Sequence, residues 1–256
     1  MRSVFIVFTA VLFLSCAVAG QDPTKVAPES YKLQFENDYI RVLRVNYAPR
    51  AKVVVHDHSR FPAGYVYLSD SDPIRFTHTD WEHPVLMRPK TRAGSFRLSP
   101  TRFENETHAV ENTGDLTSEF LRIEIMTEAP DRQSLNGRFA PFAGKRDAGL
   151  DKKEFENSQL RVTRIISGPG GRLSVSAPPR EPSLIVVVAG AGEISKVQTF
   201  WLGPGDSKQF VEPTQIEVLR FDFRTKPLKI SNKQHAENGE MKRVSNRRQP
   251  LTTKSR

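Results

Sequence analysis

Phe35-Glu36-Asn37-Asp38-Tyr39-Ile40-Arg41-Val42-Leu43-Arg44-Val45 returns 120 residues later as Phe155-Glu156-Asn157-Ser158-Gln159-Leu160-Arg161-Val162-Thr163-Arg164-Ile165, with six of the eleven positions identical. The correspondence continues without a gap. Pro49 meets Pro169, Lys52 meets Arg172, Arg60 meets Arg180, and Val66-Tyr67-Leu68 meets Val186-Val187-Val188. A series of matches at constant offset is the mark of an internal repeat. The sequence therefore reads as two copies of one unit, over residues 33–127 and 153–224. They are joined across residues 128–152, a stretch rich in Pro, Gly and charge as linkers are.

Within the first copy the apolar segments are short and rich in β-forming residues. They run over Tyr39 to Tyr47, Lys52 to His56, Tyr65 to Ser69, Ile74 to Thr79, Val85 to Arg88, Ser95 to Leu98, Thr107 to Val110 and Glu119 to Met126. Pro, Gly, Asp and Asn separate them, and long helical periodicity is absent. Strands at spacings near ten residues predict an all-β fold, with a sandwich or jelly-roll barrel in each half.

Composition narrows the class. With 256 residues, 38% hydrophobic, 26% charged and one cysteine, the chain is neither collagen-like, disulfide-stapled nor wholly disordered. Arg2, the apolar run Val4 to Leu14 and the small-residue site Ala17-Val18-Ala19 predict a secretory signal over residues 1–19, too short to span a bilayer. The expected address is secreted or periplasmic. Cleavage after Ala19 would remove Cys16 and with it any thiol chemistry. Leu14-Ser15-Cys16 also fits a lipoprotein cleavage box, so a lipid anchor on Cys16 is the alternative. Of the formal charge of +9, a net +8 sits between Arg224 and Arg256, where ten Lys or Arg face only Glu237 and Glu240. Residues 225–256 are expected to be a disordered basic tail, solvated or drawn to anionic surfaces. No aromatic residues interleave those charges, and nothing predicts a specific nucleic-acid partner.

Chemistry concentrates in the histidines. His56-Asp57-His58 lies where a strand runs out, and alternate side chains of a strand share a face, so both imidazoles can reach one ion while Asp57 points away. His108 supplies a third nitrogen, leaving an open coordination position for water or substrate. Glu106 shares the strand face of His108 and is a candidate fourth ligand or acid/base; Glu111 would face the other way. His78, Asp80, Glu82 and His83 are expected at a hairpin tip. Asn105-Glu106-Thr107 has the form of a glycosylation sequon, which a metal site at His108 would leave unmodified.

This pattern resembles the cupin superfamily. Its first motif, His-x-His followed by Glu, matches at His56 and His58; its second, with Gly, Pro, His and Asn, matches at Gly94, Pro100, His108 and Asn112. The resemblance, with the repeat, implies a two-barrel protein, a bicupin. It also places the first motif's glutamate near Ala63, where no carboxylate stands. In the second copy Ser176 and Pro178 fall opposite His56 and His58, and the run from Pro213 to Arg220 has no histidine, so that barrel is read as degenerate and metal-free.

Two functions follow from different classes. In the first, one divalent ion (Fe, Zn, Mn, Ni or Cu) on His56, His58 and His108 supports chemistry on a small molecule. In the second, both barrels are a non-catalytic scaffold or ligand-holding module without metal. Val53 and Val55 are expected on the strand face opposite the histidines, covered by the other barrel or by a second copy of the chain.

Overall fold

A computed structural model describes residues 21–79, 82–100, 106–130, 134–135, 139–140, 148–168, 170–190 and 199–229. The expected signal segment, Asp80, Trp81, Asn105 and the chain from residue 230 lie outside the described residues.

The described chain is almost entirely antiparallel β-structure. After a single-turn helix (α1, Pro23–Val26) come β1 (Tyr31–Glu36), β2 (Ile40–Tyr47), β3 (Lys52–His58), β4 (Ala63–Tyr67), β5 (Ile74–His78), β6 (Val85–Arg88), β7 (Phe96–Ser99), β8 (Glu106–Asn112) and β9 (Ser118–Ile125). The rest are β10 (Phe139–Ala140), β11 (Asp151–Glu156), β12 (Leu160–Ile166), β13 (Arg172–Ser176), β14 (Ser183–Ala189), β15 (Thr199–Leu202), β16 (Ser207–Val211) and β17 (Glu217–Phe223). Each strand expected in the first half is found, within about two residues at its ends.

In the first half a six-stranded sheet, β1-β2-β9-β4-β7-β10, covers a four-stranded one, β3-β8-β5-β6. Leu43, Val45, Tyr65, Tyr67 and Phe120 of the first meet Val53, Ile74 and Val110 of the second. The second half repeats the plan with a five-stranded sheet, β11-β12-β17-β14-β15, over the pair β13-β16. The two large sheets then pack against each other through Val42, Val66, Leu121 and Ile123 on one side and Val162, Leu184, Leu219 and Phe221 on the other. A sheet buried on both faces loses the apolar-polar alternation of a half-solvated strand. That explains why Arg41-Val42-Leu43-Arg44-Val45 alternates so poorly.

The shared motif has a structural reason. Asn37 Oδ1 accepts from the backbone N–H of Tyr39 (2.9 Å) and Ile40 (3.0 Å), and Asn157 Oδ1 from Gln159 (2.9 Å) and Leu160 (2.8 Å). Each asparagine closes the same hairpin turn. Arg41 reaches Glu36 and Glu124 as Arg161 reaches Glu156 and Asp222. The register irregularity between Leu33 and Phe35 also recurs between Lys153 and Phe155.

Three boundaries differ from expectation. Structure begins before residue 33, with α1 and with Tyr31 at the head of β1. The stretch 128–152 is not only a connector: Leu135 is buried in the inter-sheet cluster and β10 adds an edge to the first large sheet. The chain also does not leave the fold at residue 225, because Thr127 and Pro227 form an antiparallel bridge and Leu228 N–H bonds Met126 O.

Candidate metal centre

Three neighbouring strands assemble the site. In the register of β3, β8 and β5, His56 stands opposite His108 and His108 opposite His78; in the next row His58 stands opposite Glu106. Directly opposed residues of an antiparallel pair share a face, so these side chains all enter the barrel. Each of the four histidines is buried. Ring centroids lie 4.8 Å apart for His56 and His108, 4.9 Å for His56 and His58, 5.1 Å for His58 and His108 and 5.2 Å for His78 and His108.

A β-bulge sets this orientation. Between Val53 and His56 the register with β8 slips, so Val53 and His56 both point inward while Val54 is exposed. Val53 is thus a core residue, which corrects its expected place on the face opposite the histidines. His56 Nδ1–H donates to the Val54 carbonyl, within the bulge, at 2.8 Å. With its proton held there, the Nε2 of His56 carries an acceptor lone pair. It accepts from Tyr31 Oη at 2.9 Å and lies 3.2 Å from His58 Nε2.

That separation is informative. Two nitrogens bound at about 2.0–2.1 Å to one ion stand about 2.9 Å apart at a right angle and about 3.3 Å apart at the tetrahedral angle. His56, His58 and His108 each bring a ligand atom within 4.8 Å of the others. Both ring nitrogens of buried His108 have no hydrogen-bond partner, and unsatisfied polar atoms in a barrel interior are costly unless something binds them; on His58 the unpartnered nitrogen is Nδ1, not the Nε2 that faces His56. The donor set fits a divalent transition metal.

Glu106 falls in a second group, with His78 and His108. Its Oε1 lies 3.3 Å from His78 Nε2 and 3.4 Å from His108 Nδ1, and its Oε2 lies 3.5 Å from an Arg122 guanidinium nitrogen. Burial favours the neutral acid. The contacts from His108 and His78 and the charge of Arg122 outweigh it and hold the carboxyl well below its usual range. The histidines move the other way. Burial, reinforced by His108, lowers His56 to about 4; burial with Arg122 and His108 takes His58 well down, and burial lowers His108 against the pull of Glu106. The three imidazoles are therefore neutral near pH 7, the form that binds metal.

His58 and His108 border a cavity of about 230 Å³ lined also by four tyrosines, Tyr31, Tyr47, Tyr65 and Tyr67, and three arginines, Arg88, Arg97 and Arg122. It opens beside Leu86 and Met87, lining residues that are 45% and 44% exposed.

Sequence reasoning brought together His56, His58, His108 and Glu106. Asp57 points out of the barrel, accepting from Thr107 Oγ1 at 2.6 Å, and Glu111 pairs outside with Arg75 at 2.9 Å. The expected hairpin-tip cluster divides: Glu82 and His83 are exposed, whereas His78 is buried beside His108. Strand period would have found it, since Ile74, Phe76 and His78 share a face. Tyr31 and the arginines had no such signal. Ala63 is buried on β4 and brings no donor.

No protein-family pattern matches the sequence, and no curated protein matches it either. Among solved structures, a bacterial pirin from Escherichia coli in complex with nickel(II) is similar at 13% identity and a TM-score of 0.49, over 77% of this chain and 91% of that one. A quercetin 2,3-dioxygenase from Acinetobacter baumannii is similar at 10% identity and a TM-score of 0.47, over 82% and 86%. A cupin domain from Bordetella pertussis is 23% identical with a TM-score of 0.31, over 39% of this chain and 92% of that one. All three similarities lie under 25% identity and under a TM-score of 0.5. The likeness is one of fold, and such barrels carry many unrelated chemistries. Among the described residues no helix is long and apolar enough to cross a membrane.

Proposed function

We propose that this chain is an exported bicupin whose first barrel binds one divalent metal ion through His56, His58 and His108. The observation that carries the reading is the meeting of three neutral, buried imidazoles, of which His58 and His108 line a cavity and carry unpartnered nitrogens. The matching turns and registers 120 residues apart support an internal duplication with domains near 33–127 and 153–224. Export rests on the residues of the leader.

Such an ion would supply a Lewis acid and an open position for an oxygen of a bound small molecule. The chain's own groups have separable tasks. Val54 O fixes the proton of His56 on Nδ1, leaving Nε2 to bind. Glu106 Oε1 lies 3.4 Å from His108 Nδ1, placed to orient that ring as carboxylates do behind metal-ligating histidines. The contacts of His108 and His78, with the charge of Arg122, keep that carboxylate charged against its burial. Tyr31 bonds to His56 Nε2 and must release it when an ion binds.

Elemental analysis of the purified protein tests the proposal. One equivalent of Fe, Zn, Mn, Ni or Cu is expected in the native protein, and none in the His56→Ala, His58→Ala double variant. Equal trace metal in both would overturn it. The alternative, a ligand-holding barrel without metal, has its own support, because Tyr31 and His58 already give His56 Nε2 neighbours. The same measurement decides between them.

A further inference from the structure

Arg88 and Arg97 line the cavity without a carboxylate in ion-pair contact among the described residues. The Nε–H of each is buried without a partner. Arg88 is 8% exposed; one terminal nitrogen donates to Ser71 Oγ (3.2 Å) and Ser118 Oγ (2.6 Å), and its guanidinium lies over the rings of Tyr67 (5.1 Å) and Phe120 (5.3 Å). Arg97 lies 4.2 Å over the ring of Tyr65. The nearby carboxylates are committed elsewhere: Glu106 and Glu124 both engage Arg122.

Ring faces and hydroxyls offset part of the desolvation of a guanidinium, but an uncompensated buried charge is strongly destabilising. Burial above all, with a contribution from Arg97, pushes the guanidinium pKa of Arg88 down, whereas Arg97 is raised against its burial by Tyr65, Tyr67 and Glu106. The fold itself does not demand these residues. By strand register, the pair Tyr65 and Arg97 on β4 and β7 corresponds to Ile185 and Phe200 on β14 and β15. The second half seats an aliphatic and an aromatic side chain where the first seats a phenol and a cation.

We propose that Arg88 and Arg97 form the anion subsite of the cavity and receive the carboxylate of a small organic acid. Its apolar body lies among Phe76, Phe120, Leu86 and Met87, toward the mouth. A carboxylate suits the forked donors of arginine, and the apolar walls exclude a bare inorganic ion as the natural occupant. The inference deepens the metal reading by naming the charged end of the ligand presented to that site. The arginines are separate from the metal ligands, so anion binding is expected with or without the ion.

Isothermal titration calorimetry with benzoate, benzamide and inorganic phosphate, on chelator-treated and metal-loaded protein, tests this. Benzoate is expected to bind both forms at least tenfold more tightly than benzamide or phosphate. Arg97→Met is expected to lose at least tenfold in benzoate affinity without changing metal content. Arg88→Lys, which keeps the charge but not the fork, is expected to lose severalfold and covers the case in which the first variant does not fold. Benzoate binding no tighter than benzamide, tighter binding of phosphate, or wild-type affinity in both folded variants would overturn the proposal. Benzoate binding by a protein that takes up no metal would sustain it while removing the metal reading.

Discussion

Where the first barrel sets His56 opposite His108, the second sets Ser176 opposite Ser207, both exposed. The interior of the second is filled instead by Ile165, Val175, Ile185, Val187, Phe210 and Val218. Yet other features persist in both halves. Arg122 beside Glu124 on β9 is answered by Arg220 beside Asp222 on β17, each pair at the same register against its hairpin strand. The turn asparagines persist as well. What is kept serves the hairpin and the arginine–carboxylate pair that close the large sheet; what is lost is a polar interior. The histidines and unpaired arginines of the first half are thus additions the scaffold does without. Burying such groups costs free energy that an apolar core avoids. A group present at that cost in one half and not in the other is a candidate for function.

The comparison is sharpest if the halves stand or fall together. Phe221 and Ile123 occupy equivalent registers on β17 and β9 and meet in the shared inter-sheet cluster, fully buried. Phe221→Ala is expected to cost about 3–5 kcal/mol and Ile123→Ala about 2–5 kcal/mol. Both should shift one cooperative transition in urea. Two separated transitions, with only one responding to each variant, would mean that the barrels are independent modules.

The next largest effect separates the halves by pH, since no histidine lies between residues 153 and 224. In metal-free protein His56 is held near 4 by burial, below its ordinary value of 6.5. The unfolded chain therefore takes up a proton at a higher pH than the fold does. The stabilisation is complete above about pH 6.5 and is lost as pH falls toward 4, by up to about 3 kcal/mol for a shift of this size. His58 and His108 are lowered too and act in the same direction. Urea midpoints between pH 7 and 4.5 should fall more steeply for the native protein than for His56→Gln. Equal slopes would show that His56 is protonated within the fold.

How much of this could be read from residues alone follows from the range of the interactions. Strands of the first half were legible because Pro, Gly, Asp and Asn punctuate them locally. His56, His58 and His108 were legible because a period of two and one strand pairing suffice to bring them together. The bulge was not, because a register slip depends on the partner strand, and with it went the inward turn of Val53. Arg88, Arg97 and Tyr31 enter one cavity from β6, β7 and β1, which belong to two different sheets. No local period links them. In the two-sided sheet, alternation was erased by packing against the second half.

The smallest expected effect tests the feature the halves share. Removing Asn37 or Asn157 takes away a side-chain oxygen that accepts two backbone N–H groups in a hairpin turn. Each Asn→Ala change is expected to cost about 1 kcal/mol, the range found for side chains that satisfy backbone donors at a turn or cap. Equivalence is broken by one contact: Asn157 Nδ2 also donates to the carbonyl of Ser134, in the segment between the halves. Asn157→Ala should therefore be the more damaging of the two by a few tenths of a kcal/mol to about 1 kcal/mol. Asn157→Asp keeps the accepting oxygen and loses the donor, so it should recover the turn contribution without the contact to Ser134. If Asn37→Ala proved the costlier substitution in urea, the turn of the first half would carry support beyond its own hairpin, and the two turns would not be equivalent parts.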